Sequence, residues 1–361
     1  MKKSLLFFIF RKTFILFFLL FISVFNLFAQ SNDSSKHVGL LFYNVENLFD
    51  TWDDTLKADE EFLPYGEKHW TIYRYNSKIN KLYKTIIAAG GWDPPAIIGL
   101  CEVENKRVLN DLIYDTPLSK FKYKYKHFES PDSRGIDVAL LYNEEVFKPV
   151  HAEPIPVYFK ESTSYLTRDI LYVKGFFVNA SDTIHVFVNH WPSRRGGQLE
   201  SESRRIQAAK TLKMKVDRIF LESPGEGVLL MGDFNDDPDN QSLISVLDAK
   251  LSMDEPLSGL LYNLDGITNN KPGSYKYRDI WNKFDQIIVS GNLLNDELKI
   301  QVDLGTFEIF QPAFLTIEDE RNLGIKPFAT YSGYKYLGGF SDHFPVKLNL
   351  VISKPDNSSG N

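Results

Sequence analysis

Cysteine is almost missing from this chain: Cys101 is the only one in 361 residues. A lone thiol excludes an internal disulfide framework. Cys101 follows the apolar run Ala96-Ile-Ile-Gly-Leu, so it reads as a small core residue rather than a nucleophile. Cationic excess is missing too. Lys and Arg number 41 against 47 Asp and Glu, a net charge of −6. That excludes gripping nucleic acid by bulk electrostatics, though not an enzyme touching phosphate at one cationic spot. Repeats, long linkers and low-complexity tracts are absent after the first 29 residues.

Those first residues carry a separate message. Lys2, Lys3, Arg11 and Lys12 flank or enter a run reading TFILFFLLFISVFNLFAQS, the pattern of a secretory signal peptide over 1–29, cleaved after Ala29. A retained transmembrane anchor is the alternative, although Phe14–Phe28 is short for a span. No Cys stands at the cleavage point, so a lipid anchor is not expected. The mature chain would be secreted or periplasmic, with no stable membrane anchor. Cleavage removes four basic residues and no acidic one, so −6 becomes −10.

What is present is apolar and aromatic. Hydrophobic residues make up 43% and aromatics 14%, enough for one large, sheet-rich core or two ordinary domains. Strand-like runs recur at 38–45, 96–103, 121–128, 136–143, 170–179, 183–190, 227–234, 283–290 and 344–352. Helical spacing marks Tyr75–Ala89 and Glu200–Leu221, and more weakly Asn105–Tyr114. The expectation is one domain over 36–353, a mixed α/β (α+β) sandwich, followed by a flexible tail at 354–361.

Polar residues gather at the ends of these runs. YNVEN, CEVEN, VNHWPS and GDFND each follow one, and SDH precedes one. Sites commonly form where strand ends hold side chains on one rigid edge. Glu46, Glu102, Asp233 and Asp342 come from distant segments. Carboxylates repel when brought together unless a cation joins them. With no suitable Cys and few His, oxygen ligands point to Mg²⁺, Mn²⁺ or Ca²⁺ rather than zinc. Taken singly, each acid reads better as an ordinary surface group, since Asp and Glu are mostly exposed.

His190 and His343 sit at two of these ends, and Asp285, inside an apolar run, needs a partner such as a histidine. Asn44, Asn189 and Asn235 either donate to phosphate or cap turns. The segment WPSRRGGQLESESRRIQAAK adds Arg194, Arg195, Arg204 and Arg205. They form either a phosphate clamp, with Arg194 and Arg195 the better candidates, or a solvated helix face with Glu–Arg pairs. Trp191 either stacks on a base or caps the core. Phe234, alternating with Asp233 and Asn235, is expected to turn into the core.

In their order, N-x-E, E-V-E-N, N-H-W, G-D-F-N and S-D-H resemble the endonuclease/exonuclease/phosphatase superfamily, the deoxyribonuclease-I-like group, over roughly Val38–Ile352. The resemblance implies a four-layered α/β/β/α sandwich with two facing mixed sheets and a metal-dependent phosphodiesterase or phosphomonoesterase. Residue by residue, it implies Glu102 as the principal metal ligand, with Glu46 and Asp342 beside it. Asn44 would hold phosphate, and Asp233 and Asn235 would position water and phosphate. Asp285 would orient His343, and His190 would be the second histidine of the nuclease branch. Arg168 would contact phosphate. The resemblance does not place the acid that pairs with His190, for which Asp137 in RGIDVALLY is a candidate. In that scheme His343 activates water or stabilises the transition state, and His190 serves the leaving oxygen.

The favoured substrate is nucleic acid. Small or lipid phosphates are the alternative, and a silent binding module is a third reading. A lipid enzyme would show an exposed hydrophobic hairpin, for which 259–266 and 307–315 are candidates. No protein partner is implied, and a monomer is expected.

Overall fold

The computed structural model describes residues 36–91, 93–159, 165–178, 180, 182–268 and 272–353. The expected signal peptide (1–29) and tail (354–361) lie outside the described residues. Thirteen strands build the two large sheets. They are β1 (Lys36–Leu48), β2 (Ile97–Val103), β3 (Tyr123–His127), β4 (Asp137–Asn143), β5 (Phe147–Ile155), β6 (Ile170–Phe177), β7 (Thr183–His190), β8 (Gly227–Asp233), β9 (Ala249–Lys250), β10 (Leu261–Asn263), β11 (Asp285–Ser290), β12 (Ile300–Ile309) and β13 (Val346–Ile352).

One sheet runs β12-β13-β1-β2-β4-β3 and the other β5-β6-β7-β8-β11-β10-β9. Both are mixed. β1 and β2 pair in parallel, as do β7 and β8, while their other neighbours are antiparallel. Every residue of β8 is buried, as a central strand covered on both faces requires.

Three apolar clusters fix the layers. Phe42, Leu140, Val188, Met231, Ile287 and Leu348 belong to the central one, between the sheets, and Cys101 is buried with them as expected. On the outer face of the first sheet, Leu41, Tyr43 and Leu100 pack against α1 (Ile72–Gly90) and α2 (Lys106–Tyr114). On the outer face of the second, Phe187, Leu230 and Ile288 pack against α3 (Gln198–Glu222). The result is the four-layered α/β/β/α sandwich.

The helices form where apolar spacing and caps agree. In α1, Tyr75, Ile79, Leu82, Ile86 and Ala89 make the buried stripe, and the Thr71 side chain accepts from the Arg74 amide at the N-cap. Asn105, in the EVEN motif, caps α2 by accepting from the amides of Arg107 and Val108. Four strands were not expected from the sequence: the short β9 and β10 at one end of the second sheet, and β5 and β12, which are both sheet edges. β5 carries Pro149 and Pro154, and β12 carries Gly305 and an irregular register between Asp303 and Glu308. Edge strands tolerate such residues, which blur the alternation that marks an inner strand.

Candidate active site

The sheet registers bring the polar strand ends together. β8 pairs His190 with Asp233 on one side and Asp285 with Asp233 on the other. Gly232 makes this approach possible, because a Cβ there would lie 2.5 Å from the Cβ of Asn189. From the first sheet, Asn44 crosses over and donates its side-chain amide to Asp233 Oδ2 at 3.0 Å. Phe234 turns away from the site and is fully buried, edge-on to Trp191 with ring centroids 4.8 Å apart. Trp191 is itself buried, so it caps the core. Asn189 bonds the Met231 carbonyl and the Trp191 indole, which leaves it structural.

Asp233 lies between the two histidines. Its Oδ2 is 3.8 Å from His190 Nε2 and 3.9 Å from His343 Nε2. His343 Nδ1 sits 2.6 Å from Asp285 Oδ2, as expected of a histidine and its orienting acid. Glu102 Oε1 stands 3.9 Å from His190 Nε2, and its Oε2 accepts from the Asn47 amide. Glu46, Asn47, Glu102 and Asn235 all have φ between 51° and 62°. Such left-handed backbone is sparsely populated for these residues and clusters at functional sites.

Electrostatics separates the histidines. Burial alone would lower His343, but Asp285, Asp342 and Asp233 hold it well above the usual range. His190 is pushed well below that range by burial, with Arg168, Arg134 and His343 adding repulsion. Burial, joined by Asp285, raises Asp233 to about 6. Burial and then Glu46 raise Asp342 to about 7, with Glu102 adding to the shift.

The surrounding pocket encloses about 800 Å³. It is lined by Glu102, His190, Asp233, Asn235, Asp342 and His343 at its base. Arg134, Arg195, Tyr275, Tyr277 and Ile280 also line it. The family profile described as Endonuclease/Exonuclease/phosphatase family matches residues 39–352. The chain belongs to the endonuclease/exonuclease/phosphatase family.

Solved structures of this family share the fold. One is an endonuclease/exonuclease/phosphatase family protein from Bacteroides thetaiotaomicron, at 15% identity and TM-score 0.54, covering 88% of this chain and 98% of that one. The human Nocturnin catalytic domain matches at 15% identity and TM-score 0.52, over 88% and 98% of the two chains. A Bacteroides thetaiotaomicron mannosyl-6-phosphatase matches at 15% identity and TM-score 0.52, over 87% and 100%. No curated protein sequence matches the chain. Membership makes the protein a phosphoester hydrolase of a divalent-metal-dependent family.

The residues fit a divalent cation. Asp342 feels both Glu46 and Glu102, and that crowding of buried negative charge favours its protonated form. A cation between Glu102 and Asp342 would remove the conflict. Glu46 serves differently from the expected ligand. Its oxygens accept from the amides of Thr330 and Tyr331 at 2.5 and 3.0 Å, and Lys78 Nζ lies 3.9 Å away. It anchors that turn and acts on Asp342 through space.

Three further expectations change. Arg168 is buried, donating to Asp132 at 3.2 Å and to the Trp191 carbonyl at 2.6 Å, so it braces the site instead of contacting phosphate. Arg194 lines the pocket, but Asp236, Asp237, Asn240 and the Asn235 carbonyl engage its guanidinium, which stacks on Phe284. Asp137 faces His127 at 3.3 Å and not His190, whose Nδ1 is buried with no hydrogen-bond partner among the described residues.

Arg195 keeps its candidacy: it is exposed and lines the pocket. Arg204 lies over the Tyr165 ring, and Arg205 is fully buried against Asp236, so neither clamp nor solvated face describes that pair.

Sequence reading missed Arg134, Tyr275 and Lys78. Tyr275 packs on the His343 ring with centroids 4.7 Å apart. Lys78, buried beneath the site on α1, is lowered to about 8 by burial against the pull of Glu46. Its position in the apolar stripe of α1 is the one signal that could have exposed it.

Proposed function

We propose that the protein is an exported phosphodiesterase that cleaves nucleic acid or nucleotide-like diesters with Mg²⁺ or Mn²⁺. The observation that carries this reading is the pair of oppositely tuned histidines on either side of Asp233. A diester needs charge stabilised at the phosphoryl group and at a poor leaving oxygen, and two histidines of different protonation can divide that work.

In this reading Glu102 and Asp342 hold the cation, which supplies Lewis-acid stabilisation of phosphoryl charge. Asp233, raised to about 6, accepts a proton from the attacking water. His343, kept cationic through Asp285, donates from Nε2 to the phosphoryl group or the leaving oxygen. Of the two roles expected from the sequence, this keeps transition-state stabilisation and gives the activation of water to Asp233. Neutral His190 orients the opposite phosphoryl oxygen, and Asn44 holds Asp233 in place. Arg195 and Arg134 hold a second phosphate or the substrate's flank, and Tyr277 offers an exposed ring for a base to stack on.

A small phosphomonoester is the second reading, favoured by one observation. The pocket is lined by few cations, and the net charge is −6, so duplex DNA meets no basic stripe. The lipid reading loses its two candidate hairpins. Leu261, Tyr262 and Leu264 are buried in one, and Phe307, Ile309 and Leu315 in the other, where Phe314 is the one exposed large hydrophobic residue. Among the described residues no helix is long and apolar enough to cross a membrane. Export rests on the signal-like pattern of residues 1–29, and N-terminal sequencing of the mature protein tests it.

The functional test compares plasmid DNA, RNA, bis-p-nitrophenyl phosphate and p-nitrophenyl phosphate. Metal-dependent cleavage of the diesters supports the proposal. Activity confined to the monoester moves it to the second reading.

A further inference from the structure

Away from the catalytic pocket, a second cluster combines a histidine with carboxylates. β3 and β4 are antiparallel with His127 opposite Ala139. Continuing that register by two residues sets Glu129 opposite Asp137. The structure bears this out, since ligand atoms of His127, Glu129 and Asp137 all lie within 4.8 Å of one another. His127 Nε2 is 3.3 Å from Asp137 Oδ2, and His127 Nδ1 is 4.0 Å from Glu129 Oε1.

Glu129 is half exposed and shares a side-chain hydrogen bond with Asp137, but the buried atoms beside it are not satisfied. Both nitrogens of His127 and Asp137 Oδ2 are buried without a hydrogen-bond partner among the described residues. The His127 side chain is 0% exposed and that of Asp137 is 1% exposed. Asp169, immediately before β6 of the facing sheet and outside the group of three, shares a small cleft with Asp137, and its Oδ1 is also buried and unpartnered. Orphaned buried polar atoms are rare in proteins, and a cation between His127 Nε2 and Asp137 Oδ2 would satisfy both of those atoms. A 3.3 Å separation is also what two ligand atoms show around a tetrahedral ion with bonds of about 2.0–2.1 Å.

We propose that His127, Glu129 and Asp137, with Asp169 opposite, form a second divalent-cation site that is structural, distinct from the site at Glu102. Imidazole with carboxylates suits a first-row transition ion such as Zn²⁺ better than Mg²⁺. The ion would join the two sheets and close the loop between His127 and Asp137. That loop carries Asp132, which holds Arg168 and Arg134 beside His190. The guanidinium groups of Arg168 and Arg134 therefore depend on how this loop is pinned, and Lys57 already ties it through the Ser130 and Asp132 carbonyls.

The test uses the full chain, stripped with chelator and titrated with Zn²⁺ by calorimetry, with bound metal counted by elemental analysis. Glu102→Gln, which weakens the catalytic site, is the background. It should retain about one tightly bound Zn²⁺ and gain melting temperature on adding it. In that background Glu129→Gln, at an exposed position that leaves folding intact, should weaken Zn²⁺ binding about tenfold or more. His127→Gln should abolish both the tight equivalent and the thermal gain. Zn²⁺ binding unchanged by both second substitutions, or no tight Zn²⁺ in the Glu102→Gln background, would overturn the proposal. The cluster would then be an ion-pair triad of a histidine held between acids.

Discussion

His343 and Asp285 meet at 2.6 Å between Nδ1 and Oδ2, both buried, from segments 58 residues apart. The contact fixes the ring, aims Nε2 at Asp233 and keeps the imidazolium charged against the pull of burial.

The first prediction concerns that contact. Asp285→Asn removes the main support of the cation, so the pKa of His343 should fall. The alkaline limb of the kcat profile should move to lower pH, and kcat should drop about a hundredfold or more. An unshifted limb in the variant would show that another group controls it.

The pH profile of the wild type follows from the signs of the shifts. Asp233 must ionise, so activity should rise as pH passes about 6. His343 must stay protonated, and with its pKa raised the activity should persist through neutrality and fall only as pH climbs through that raised value. Bound metal moves the acid limb lower, because a nearby cation favours the carboxylate. A rate that rises through pH 7 with a single ionisation of ordinary histidine pKa would contradict this assignment.

Metal binding should release protons. Asp342, raised to about 7, carries a proton for much of its time at neutral pH, and a cation displaces it. Mg²⁺ or Mn²⁺ affinity should therefore increase as pH rises towards and beyond 7. Calorimetry at pH 6 in buffers of different ionisation enthalpy reads the proton count, and Asp342→Asn should abolish the release.

Two arginines should separate binding from stability. Arg195→Ala, at an exposed position, should raise KM about tenfold with little loss of kcat, the scale of one charged hydrogen bond. Arg168→Ala breaks a buried ion pair and should cost about 3–5 kcal/mol in urea unfolding. If Arg168→Ala folds with wild-type stability, its bracing role is wrong.

Much of the fold was legible because inner strands carry strong signals. VLLMGDF is apolar along its length, as burial on both faces demands, and its abrupt polar ending marked the site. The edges β5 and β12 were not legible, since half of each is free to take Pro, Gly and charge. In the site, residues at strand ends could be placed from order alone. Arginines could not. Arg168, Arg194 and Arg205 look alike in sequence, and only packing shows that Asp132 and Asp236 already engage them. The partners of His127 and His190 were hidden for the same reason. Asp137 is ten residues from His127 and 53 from His190, and the pairing of their strands brings it within 3.3 Å of His127.

The most direct measurement is hydrolysis of bis-p-nitrophenyl phosphate by the purified mature protein, with and without Mg²⁺ or Mn²⁺, beside Glu102→Ala and His343→Ala. The account predicts metal-dependent turnover that falls at least about a hundredfold in both variants. Wild-type turnover in both, or turnover indifferent to metal removal, would contradict it.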